Sequence, residues 1–532
     1  MEAAMLGHPI QMGAMQSVTE SWQAAQRLEA AAAWQQAQPL YASILAQEPD
    51  HVPARLRMSR LEQFADRYGP ARAHALHAAE AVRRGIGVRN IGYVSGRLLD
   101  FAEEGEVASL ILSADWRDPE VIRHSPTLAQ HLWLSGRYAD ALRLLDAIEP
   151  LTTPHPLLHF TRANVLRYLG DMPAAERHYE ACLALSPGMA DAHWALATHS
   201  RANPPLSRLP RLQRALQDAS DDAARAHLLY ARFREHDDAG DTAAAWDALS
   251  SGAALMHRRD AFCARLEAEM LETLMDAPVA PPGSGDATGP RPVFVVGMPR
   301  TGTTLLDRVL GNHPQVHSLG ERNDLAAAIS EASGHFFHPA LRSGVPELME
   351  MAARADVGER YLRRVRRDAP SVSHLVDKNP LNLFCIPAIL RALPRARVLV
   401  LRREPMDACF SNLKELFQGG AYAYSYALED LAGHCRNVRR WTAHWARVAP
   451  ESVRVVDYEA LVRDPASVAA SLLPFLDLPA HASLHDIAGN TAPVSTASSS
   501  QVREGVHQRA VGAWRRYEAQ LQPLREMLGE HA

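Results

Sequence analysis

Apolar side chains in the first half of the chain recur at helical spacing. Between residues 18 and 275 the sequence is rich in Ala, Leu, Arg and Glu, which favour helices, and runs of β-branched residues are nearly absent. The pattern therefore predicts a series of amphipathic helices.

Part of this helical stretch repeats itself. The segment GRYADALRLL at 136–145 returns 34 residues later within GDMPAAERHYEACLALSP at 170–187, and 34 is the tetratricopeptide period. Small Ala141 and Ala175 let the two helices of a hairpin approach closely, and Pro187 ends the second helix. We predict a tetratricopeptide-like solenoid, whose concave surface suits a protein partner. An irregular Ala-rich helical domain is the alternative.

The pattern changes after a segment dense in Pro and Gly, APVAPPGSGDATGPRP, which disfavours both helix and sheet. Beyond it, short β-branched runs alternate with helical spacing, which predicts a parallel sheet covered on both faces by helices. The runs are VFVVG at 293–297, HLV at 374–376, RVLVL at 397–401 and VRVV at 453–456. The fold class is thus α plus α/β, with helical repeats over 18–275, a linker over 276–292 and an α/β domain over 293–532.

Composition narrows the class of protein. The 532 residues are 47% apolar and 22% charged, as in water-soluble globular proteins, and a net charge of -5 gives no general attraction for nucleic acid. The five cysteines show neither C-x-x-C nor zinc spacing, so no disulfide framework or metal site is expected. Because no signal-peptide pattern and no membrane-length apolar run is found, we expect a cytoplasmic protein without a membrane span.

The candidate chemistry begins in the sequence VFVVGMPRTGTTLLDRVL. A buried strand is followed by a tight loop from Gly297 to Gly302 and by an amphipathic helix from Thr303. The glycines allow successive N–H groups to turn inward, and the helix N-terminus adds partial positive charge. The segment therefore predicts an anion-binding loop.

This loop differs from that of nucleotide triphosphatases. Thr303 stands where the motif G-x-x-x-x-G-K-[ST] has its Lys, and Arg300 supplies the positive charge instead. The run RVLVL leads into Arg402 and Arg403 rather than into a magnesium-binding Asp. A donor that needs no metal is favoured over ATP with magnesium, and a nucleotide kinase becomes the weaker alternative.

GMPRTGTTLL resembles the 5′-phosphosulfate loop of sulfotransferases that use 3′-phosphoadenosine 5′-phosphosulfate (PAPS). VLVLRREPMDACFSNL resembles their 3′-phosphate motif, which here selects Arg403 at a strand end and Ser411 near the start of the next helix. The resemblance implies PAPS as co-substrate, without a metal. The implied donor-binding residues of the loop are Pro299, Arg300, Thr301, Gly302, Thr303 and Thr304.

Three more segments, SLGERNDL, LVDKNPLNL and SSSQVREGV…VGAWRRYEAQL, resemble the protein-tyrosine sulfotransferase branch and the bacterial proteins that fuse tetratricopeptide repeats to it. The resemblance covers about 293–528. It implies that Glu321 is the catalytic base and that Lys378 lies near the bridging oxygen of the donor. His374 is the reserve candidate for the base, because cytosolic relatives use a His.

The remaining donor contacts implied by the resemblance are Tyr458 in VVDYEAL and, in the tail, Ser498 and Arg503. Three consecutive serines leave the register at Ser498 ambiguous. Trp514 and Tyr517 are expected to be structural, and the aromatic run AYAYSYAL from Ala421 has no assigned role.

The expected reaction is in-line transfer of the sulfuryl group to an acceptor hydroxyl, with Arg300 and Lys378 stabilising the departing phosphate. The acceptor remains open among peptide tyrosine, carbohydrate and small molecules, and a homodimer also remains open. The alternative from another class is a binding scaffold whose sulfotransferase-like domain is inactive.

Overall fold

The computed structural model describes residues 17–259, 261–276, 289–337, 356–366, 371–417, 419–481, 484 and 506–529. The chain divides into two compact units, residues 1–124 and residues 125–532. Within the described ranges, no helix has the length and apolar character needed to cross a membrane.

The first unit is helical in its described part, and neighbouring helices pack through small side chains. Ala25, Ala37 and Ala54 are fully buried around the Tyr41 ring. Ser17 begins the first helix with a capping box, in which its hydroxyl and the Glu20 carboxylate each bond the other's backbone N–H. The helices are α1 Val18–Ala30, α2 Trp34–Gln47, α3 Val52–Phe64, α4 Tyr68–Arg83, α5 Ile91–Leu99 and α6 Glu104–Leu112.

Helices continue through the first part of the second unit. They are α7 Pro119–Leu134, which spans the junction of the units, α8 Tyr138–Ile148, α9 Pro156–Leu169, α10 Met172–Leu185, α11 Ala190–His199, α12 Leu209–Asp218, α13 Asp222–Ala239, α14 Thr242–His257 and α15 Ala264–Met275. The predicted helical character of 18–275 is confirmed.

A Gly-Asp pair joins the helices of two hairpins, α9 with α10 and α13 with α14. Gly170 and Gly240 end the first helices in the left-handed conformation, with φ of 97° and 82°. Asp171 and Asp241 cap the second helices, each carboxylate accepting a backbone N–H from three residues later at 3.1 Å. The repeated Gly-Asp pairs thus produce repeated hairpins, while the tetratricopeptide assignment stays a prediction.

The described residues of the second unit also form a sheet of five parallel strands in the order β2-β3-β1-β4-β5. The strands are β1 Arg291–Gly297, β2 Val316–Gly320, β3 His374–Asp377, β4 Arg397–Arg402 and β5 Val453–Asp457. The predicted parallel sheet is confirmed, but β2 was missed. Its sequence VHSLG lacks a β-branched run, and among its residues only Val316 is buried.

Helices cover both faces of the sheet, because alternate residues of β1 enter different apolar clusters. Val293 and Val295 pack with α16 and α23, whereas Phe294 and Val296 face the cluster that contains α17, α18 and α21. The helices that accompany the sheet are α16 Thr303–Gly311, α17 Asp324–Ser333, α18 Asp356–Arg366, α19 Ile386–Ala392, α20 Pro405–Leu413, α21 Leu428–Val448, α22 Tyr458–Arg463, α23 Pro465–Leu476 and α24 Glu518–Leu528.

Helices α13 to α15 share a core with the sheet. Tyr230, Leu249 and Leu274 belong to the same buried cluster as Phe294 and Trp441. The compact unit therefore includes helices from both sides of the predicted linker. The division into 18–275, 276–292 and 293–532 stays a prediction, and residues 277–288 of the linker lie outside the described ranges.

Helix α15 meets α21 at a site where only a glycine fits. A Cβ on Gly433 would lie 2.4 Å from the Ala264 Cβ, and His434 and Asn437 on the same helix bond Glu267 of α15 at 2.8 and 2.9 Å. We expect Gly433→Ala to lower the free energy of unfolding by about 2 kcal/mol through overpacking. Thermal unfolding measures the loss.

The control for this overpacking is a second substitution. Ala264→Gly in the Gly433→Ala background removes the opposing Cβ and should restore most of the midpoint. Equal midpoints for wild type and Gly433→Ala would contradict the proposed contact.

Candidate active site

All five strands lead candidate residues to the carboxyl edge of the sheet. The central strand β1 ends at Gly297 and enters the loop. Each of the other four strands is directly followed by a candidate residue: Glu321 after β2, Lys378 after β3, Arg403 after β4 and Tyr458 after β5. The carboxyl ends of parallel strands meet at one edge, where α/β sheets bind ligands. The sheet order therefore brings together residues that are far apart in sequence.

The loop after β1 is wound tightly from its first residue. Gly297 has φ of 150°, and a Cβ there would lie 2.8 Å from the Leu401 carbonyl oxygen of β4. The Thr301 hydroxyl donates a 2.6 Å hydrogen bond back to the Met298 carbonyl. These contacts close the turn that leads into α16, so the first N–H groups of that helix face the loop.

Tyr458 lies directly against the second glycine of the loop. A Cβ on Gly302, where φ is 100°, would lie 2.5 Å from the Tyr458 ring. Thr303 and Thr304 begin α16 and are buried. The ring and the glycine thus define one wall of the loop.

Arg300 adopts a left-handed backbone conformation, with φ of 65°, at the tip of the loop. Its largely buried guanidinium lies 3.8 Å from the Glu415 carboxylate. Burial lowers the pKa of Arg300, Glu415 opposes that change, and Arg403 adds to it. An arginine stays charged at neutral pH despite such shifts, so the loop presents a partly dehydrated cation.

Arg403 connects the loop with the tail of the chain. Its guanidinium donates to the carbonyls of Arg300 and Ala510 at 2.8 and 2.5 Å and lies over the Tyr458 ring, 4.6 Å from the centroid. Only 8% of Arg403 is exposed, and its buried Nε has no hydrogen-bond partner among the described residues. That cation is suited to receive an anionic ligand.

Ser411 and Asn412 lie in the last turn of α20. The expectation that Ser411 stands near the start of this helix was wrong, because the helix begins at Pro405 and ends at Leu413. Sequence reasoning missed Asn412, whose buried side-chain amide donates to the Pro299 carbonyl at 2.8 Å. The sequence offered one signal for Asn412, namely that it directly follows the candidate residue Ser411.

Glu321 and Lys378 form an ion pair in the same part of the sheet edge. The Lys378 Nζ lies 2.5 Å from a Glu321 Oε1. The Lys378 side chain is 2% exposed, whereas that of Glu321 is 39% exposed, so the carboxylate faces solvent and the ammonium lies inside. A molecule arriving from solvent therefore reaches the carboxylate first.

Two carboxylates on neighbouring elements surround Lys378. Burial raises the pKa of Asp307 on α16, while the Lys378 charge lowers it. Burial also raises the pKa of Asp377, the residue before Lys378, to about 7, although the Tyr361 hydroxyl donates to it at 3.0 Å. Asn379 then donates to the Arg322 carbonyl at 2.9 Å. The segments that carry Glu321 and Lys378 are thereby held together.

His374, the reserve candidate for the base, lies at the wrong end of β3. It pairs in register with Arg291 and Val316, the first residues of their strands. Its ring lies 2.7 Å from the Leu476 carbonyl, and burial lowers its pKa. The ring is therefore held at the amino edge, away from Lys378 and the loop.

Most of the aromatic run from Ala421 serves packing. Tyr424 stacks on His434 with ring centroids 3.6 Å apart, and the Tyr426 hydroxyl bonds the Phe417 backbone. Tyr422 stacks on Phe417, and burial together with the Glu321 charge raises its pKa to about 12.

Helix α9 contributes Tyr168, whose pKa is also raised by burial and, more weakly, by Glu321. Sequence reasoning missed its proximity to Glu321. Trp514 and Tyr517 are buried, as expected for structural residues, whereas Ser498 and Arg503 lie outside the described ranges.

Residues 292–482 match the family model described as "Sulfotransferase family", and this part of the chain is therefore similar to that family. The matched range contains the five described strands, except for Arg291 at the start of β1, and the residues Arg300, Glu321, Lys378, Arg403 and Tyr458.

Curated relatives match less than half of the chain. An uncharacterized protein of Aquifex aeolicus (strain VF5) is 31% identical over 246 residues, which cover 45% of this chain and 32% of that protein. The protein-tyrosine sulfotransferase of Drosophila melanogaster and protein-tyrosine sulfotransferase 1 of Danio rerio are each 24% identical. Both matches cover 42% of this chain, with 46% and 65% of the respective relatives. The chain thus spans about a third of the first relative and less than two thirds of the other two.

Among solved structures, the sulfotransferase domain of the Synechococcus PCC 7002 olefin synthase is similar at 17% identity and a TM-score of 0.29. The match covers 47% of this chain and 98% of that one. The sulfotransferase domain from the curacin biosynthetic pathway has the same identity and TM-score, with 46% and 98% covered.

Proposed function

We propose that the second unit transfers a sulfuryl group from PAPS to the hydroxyl of an acceptor. The observation that carries the proposal is the joint placement of the Arg300 loop and the Glu321–Lys378 pair after adjacent strands of one sheet. The Arg300 loop suits an anion that has lost its water. The ion pair combines a solvent-facing base, Glu321, with a buried cation, Lys378. The match of residues 292–482 to the sulfotransferase family supports this reading.

The residues present fit a donor that carries anionic groups at two ends. The loop with Arg300 and the N-terminus of α16 would hold the 5′-phosphosulfate, and Arg403 with Ser411 would hold the 3′-phosphate. The buried Nε of Arg403, without a partner among the described residues, supports an anion at this position. Tyr458, which lies against Gly302 and Arg403, would flank the nucleotide.

Glu321 would act as the general base. Its carboxylate accepts the proton of the acceptor hydroxyl while that oxygen forms a bond to sulfur and the bond from sulfur to the phosphate oxygen breaks. Lys378 and Arg300 stabilise the negative charge that develops on this phosphate oxygen. The 2.5 Å ion pair fixes the Glu321 carboxylate before the acceptor arrives.

The acceptor would approach Glu321 between aromatic side chains. Burial and, more weakly, the Glu321 charge raise the pKa of two tyrosine hydroxyls, Tyr168 on α9 and Tyr422. The Drosophila and zebrafish relatives are named for transfer to protein tyrosine. Peptide tyrosine is therefore the first acceptor to test here, followed by carbohydrates and small phenols.

Calorimetric binding tests the donor before the acceptor is known. We expect 3′,5′-adenosine bisphosphate to bind at least about tenfold more tightly than ATP with magnesium, because the site offers cations for two separate phosphates. A preference for ATP would support a nucleotide kinase instead. Binding of neither nucleotide would support the scaffold alternative.

A further inference from the structure

Helix α13, which precedes the sheet in sequence, passes beside the donor side of the site. The Tyr230 hydroxyl donates a 3.0 Å hydrogen bond to the Leu413 carbonyl, the last residue of α20. Arg234 lies one helical turn after Tyr230 on the same face. This face of α13 therefore meets the end of the helix that carries Ser411 and is followed by Lys414.

A continuous series of contacts connects Arg234 with Lys414. The Lys414 ammonium lies 4.8 Å from the centroid of the Phe410 ring, which packs against Tyr517 at 5.0 Å. The Tyr517 hydroxyl donates to Asp237 at 2.8 Å, and the other oxygen of Asp237 is 4.0 Å from the Arg234 guanidinium. The two cations thus border one region, from the sides of α13 and α20.

The charges in this region repel one another. Burial lowers the pKa of Lys414 to about 8, and Arg234 is the largest electrostatic contributor to that change; Arg300 and Arg403 act in the same direction and Asp237 opposes them. Arg234 and Arg403 also lower the pKa of Arg300. Four cations therefore act on each other around the end of α20.

The facing carboxylates leave this positive charge only partly compensated. Glu415 lies 3.8 Å from Arg300, and Asp238 lies 3.7 Å from Arg234. Asp237 is shared with Arg516, which lies 3.0 Å away. The buried Nε atoms of both Arg234 and Arg403 have no hydrogen-bond partner among the described residues. An anion is the ligand that would satisfy these donors.

We propose that Arg234 and Lys414 bind the 3′-phosphate of the donor together with Arg403 and Ser411, so that α13 forms part of the donor site. This inference rests on the proposed function. The phosphate end is assigned because Lys414 follows Ser411 by three residues, which places both on one side of the end of α20.

Calorimetric affinities for 3′,5′-adenosine bisphosphate and for 5′-AMP, which lacks the 3′-phosphate, test the proposal. We expect Arg234→Gln and Lys414→Met each to reduce the preference for the bisphosphate about tenfold. Arg234→Lys, which keeps the charge, should retain most of it. Arg225→Gln, an exposed position on the same helix, is the matched control and should behave as wild type.

The pH dependence separates a phosphate contact from a packing role. Lys414 faces Arg234 and Asp237 from α13, Arg300 from the loop and Arg403 from the end of β4. A bound phosphate raises the pKa of Lys414 above its free value of about 8. Above about pH 8, Lys414 is mostly neutral in the free protein, so binding of the phosphate requires Lys414 to take up a proton. Bisphosphate affinity should therefore change little between about pH 7 and pH 8, where the phosphates are already mostly dianionic, and fall by up to about tenfold per pH unit above pH 8.

The outcomes distinguish this inference from the proposed function. If wild type does not bind the bisphosphate, the proposed function fails. If wild type binds it but Lys414→Met keeps both the wild-type preference and the wild-type pH slope, the inference alone is wrong. Should Arg234→Gln fail to fold, the bisphosphate preference and the pH slope of Lys414→Met still decide.

Discussion

Glu321→Gln is expected to reduce sulfuryl transfer to a tyrosine peptide by about 10³-fold, because it removes the group that accepts the hydroxyl proton. Affinity for 3′,5′-adenosine bisphosphate should remain within a factor of two or so of wild type, since Glu321 faces the acceptor side. The glutamine keeps an oxygen for the Lys378 ammonium, which lies 2.5 Å from the carboxylate in the native chain. Single-turnover transfer with saturating donor measures the chemical step.

The acidity of the acceptor tests the base role more sharply. para-Nitrophenol is far more acidic than tyrosine, whose pKa is about 10, and is ionised to a large extent near neutral pH, so the deficit of Glu321→Gln should shrink strongly with this acceptor. A merely structural role for Glu321 would lower both rates equally. Glu359→Gln, an exposed position on α18, is the matched control and should leave both rates unchanged.

His374→Asn completes this experiment. Because its ring bonds the Leu476 carbonyl at the amino edge of the sheet, the folded variant should retain transfer activity. Full activity of Glu321→Gln together with loss of activity in His374→Asn would overturn the assignment of the base.

Arg403→Met is expected to weaken binding of 3′,5′-adenosine bisphosphate about 100-fold, as the loss of charge-assisted hydrogen bonds to a phosphate implies. The substitution also removes the bonds that Arg403 donates to the carbonyls of Arg300 and Ala510. At saturating donor the transfer rate should fall much less, because Arg403 is assigned to the phosphate remote from the reacting sulfur. Calorimetry and donor titrations of the rate give the two quantities.

The neighbouring arginine provides a control with the same chemistry. Arg402 is 60% exposed in its side chain and pairs with Asp457 at 2.7 Å on the outside of the sheet edge. Arg402→Met should therefore change donor affinity little. Equal losses in the two variants would mean that general positive charge, rather than the inward position of Arg403, attracts the donor.

Features that depend only on residues close together in the sequence could be predicted from the sequence. The loop from Gly297 to Gly302 was predicted because its strand, turn and helix follow from local hydrophobic pattern and glycine geometry. The helices of the first half follow from spacing and composition in the same way. Four of the five strands were predicted from their short β-branched runs.

The remaining features depend on which segments meet in space. Strand β2 became a strand by pairing with β3, although its sequence has no β-branched run. That pairing places Glu321 against Lys378, which lies 57 residues away in the sequence. Helical spacing likewise gave α13 an apolar face without indicating that Tyr230 would contact Leu413 of the α/β part.

By itself, then, the sequence determined the helical first half, the parallel sheet, the tight loop from Gly297 to Gly302 and the identities of the residues that follow the strands. The tertiary structure decided that Glu321 pairs with Lys378, that His374 lies at the opposite edge and that Arg234 lies within reach of the Arg300 and Lys414 charges. The physical reason is the distance along the chain over which each kind of interaction acts. Backbone preferences and periodicity act over a few residues, whereas these contacts follow from strand order and helix packing, which only the assembled core defines.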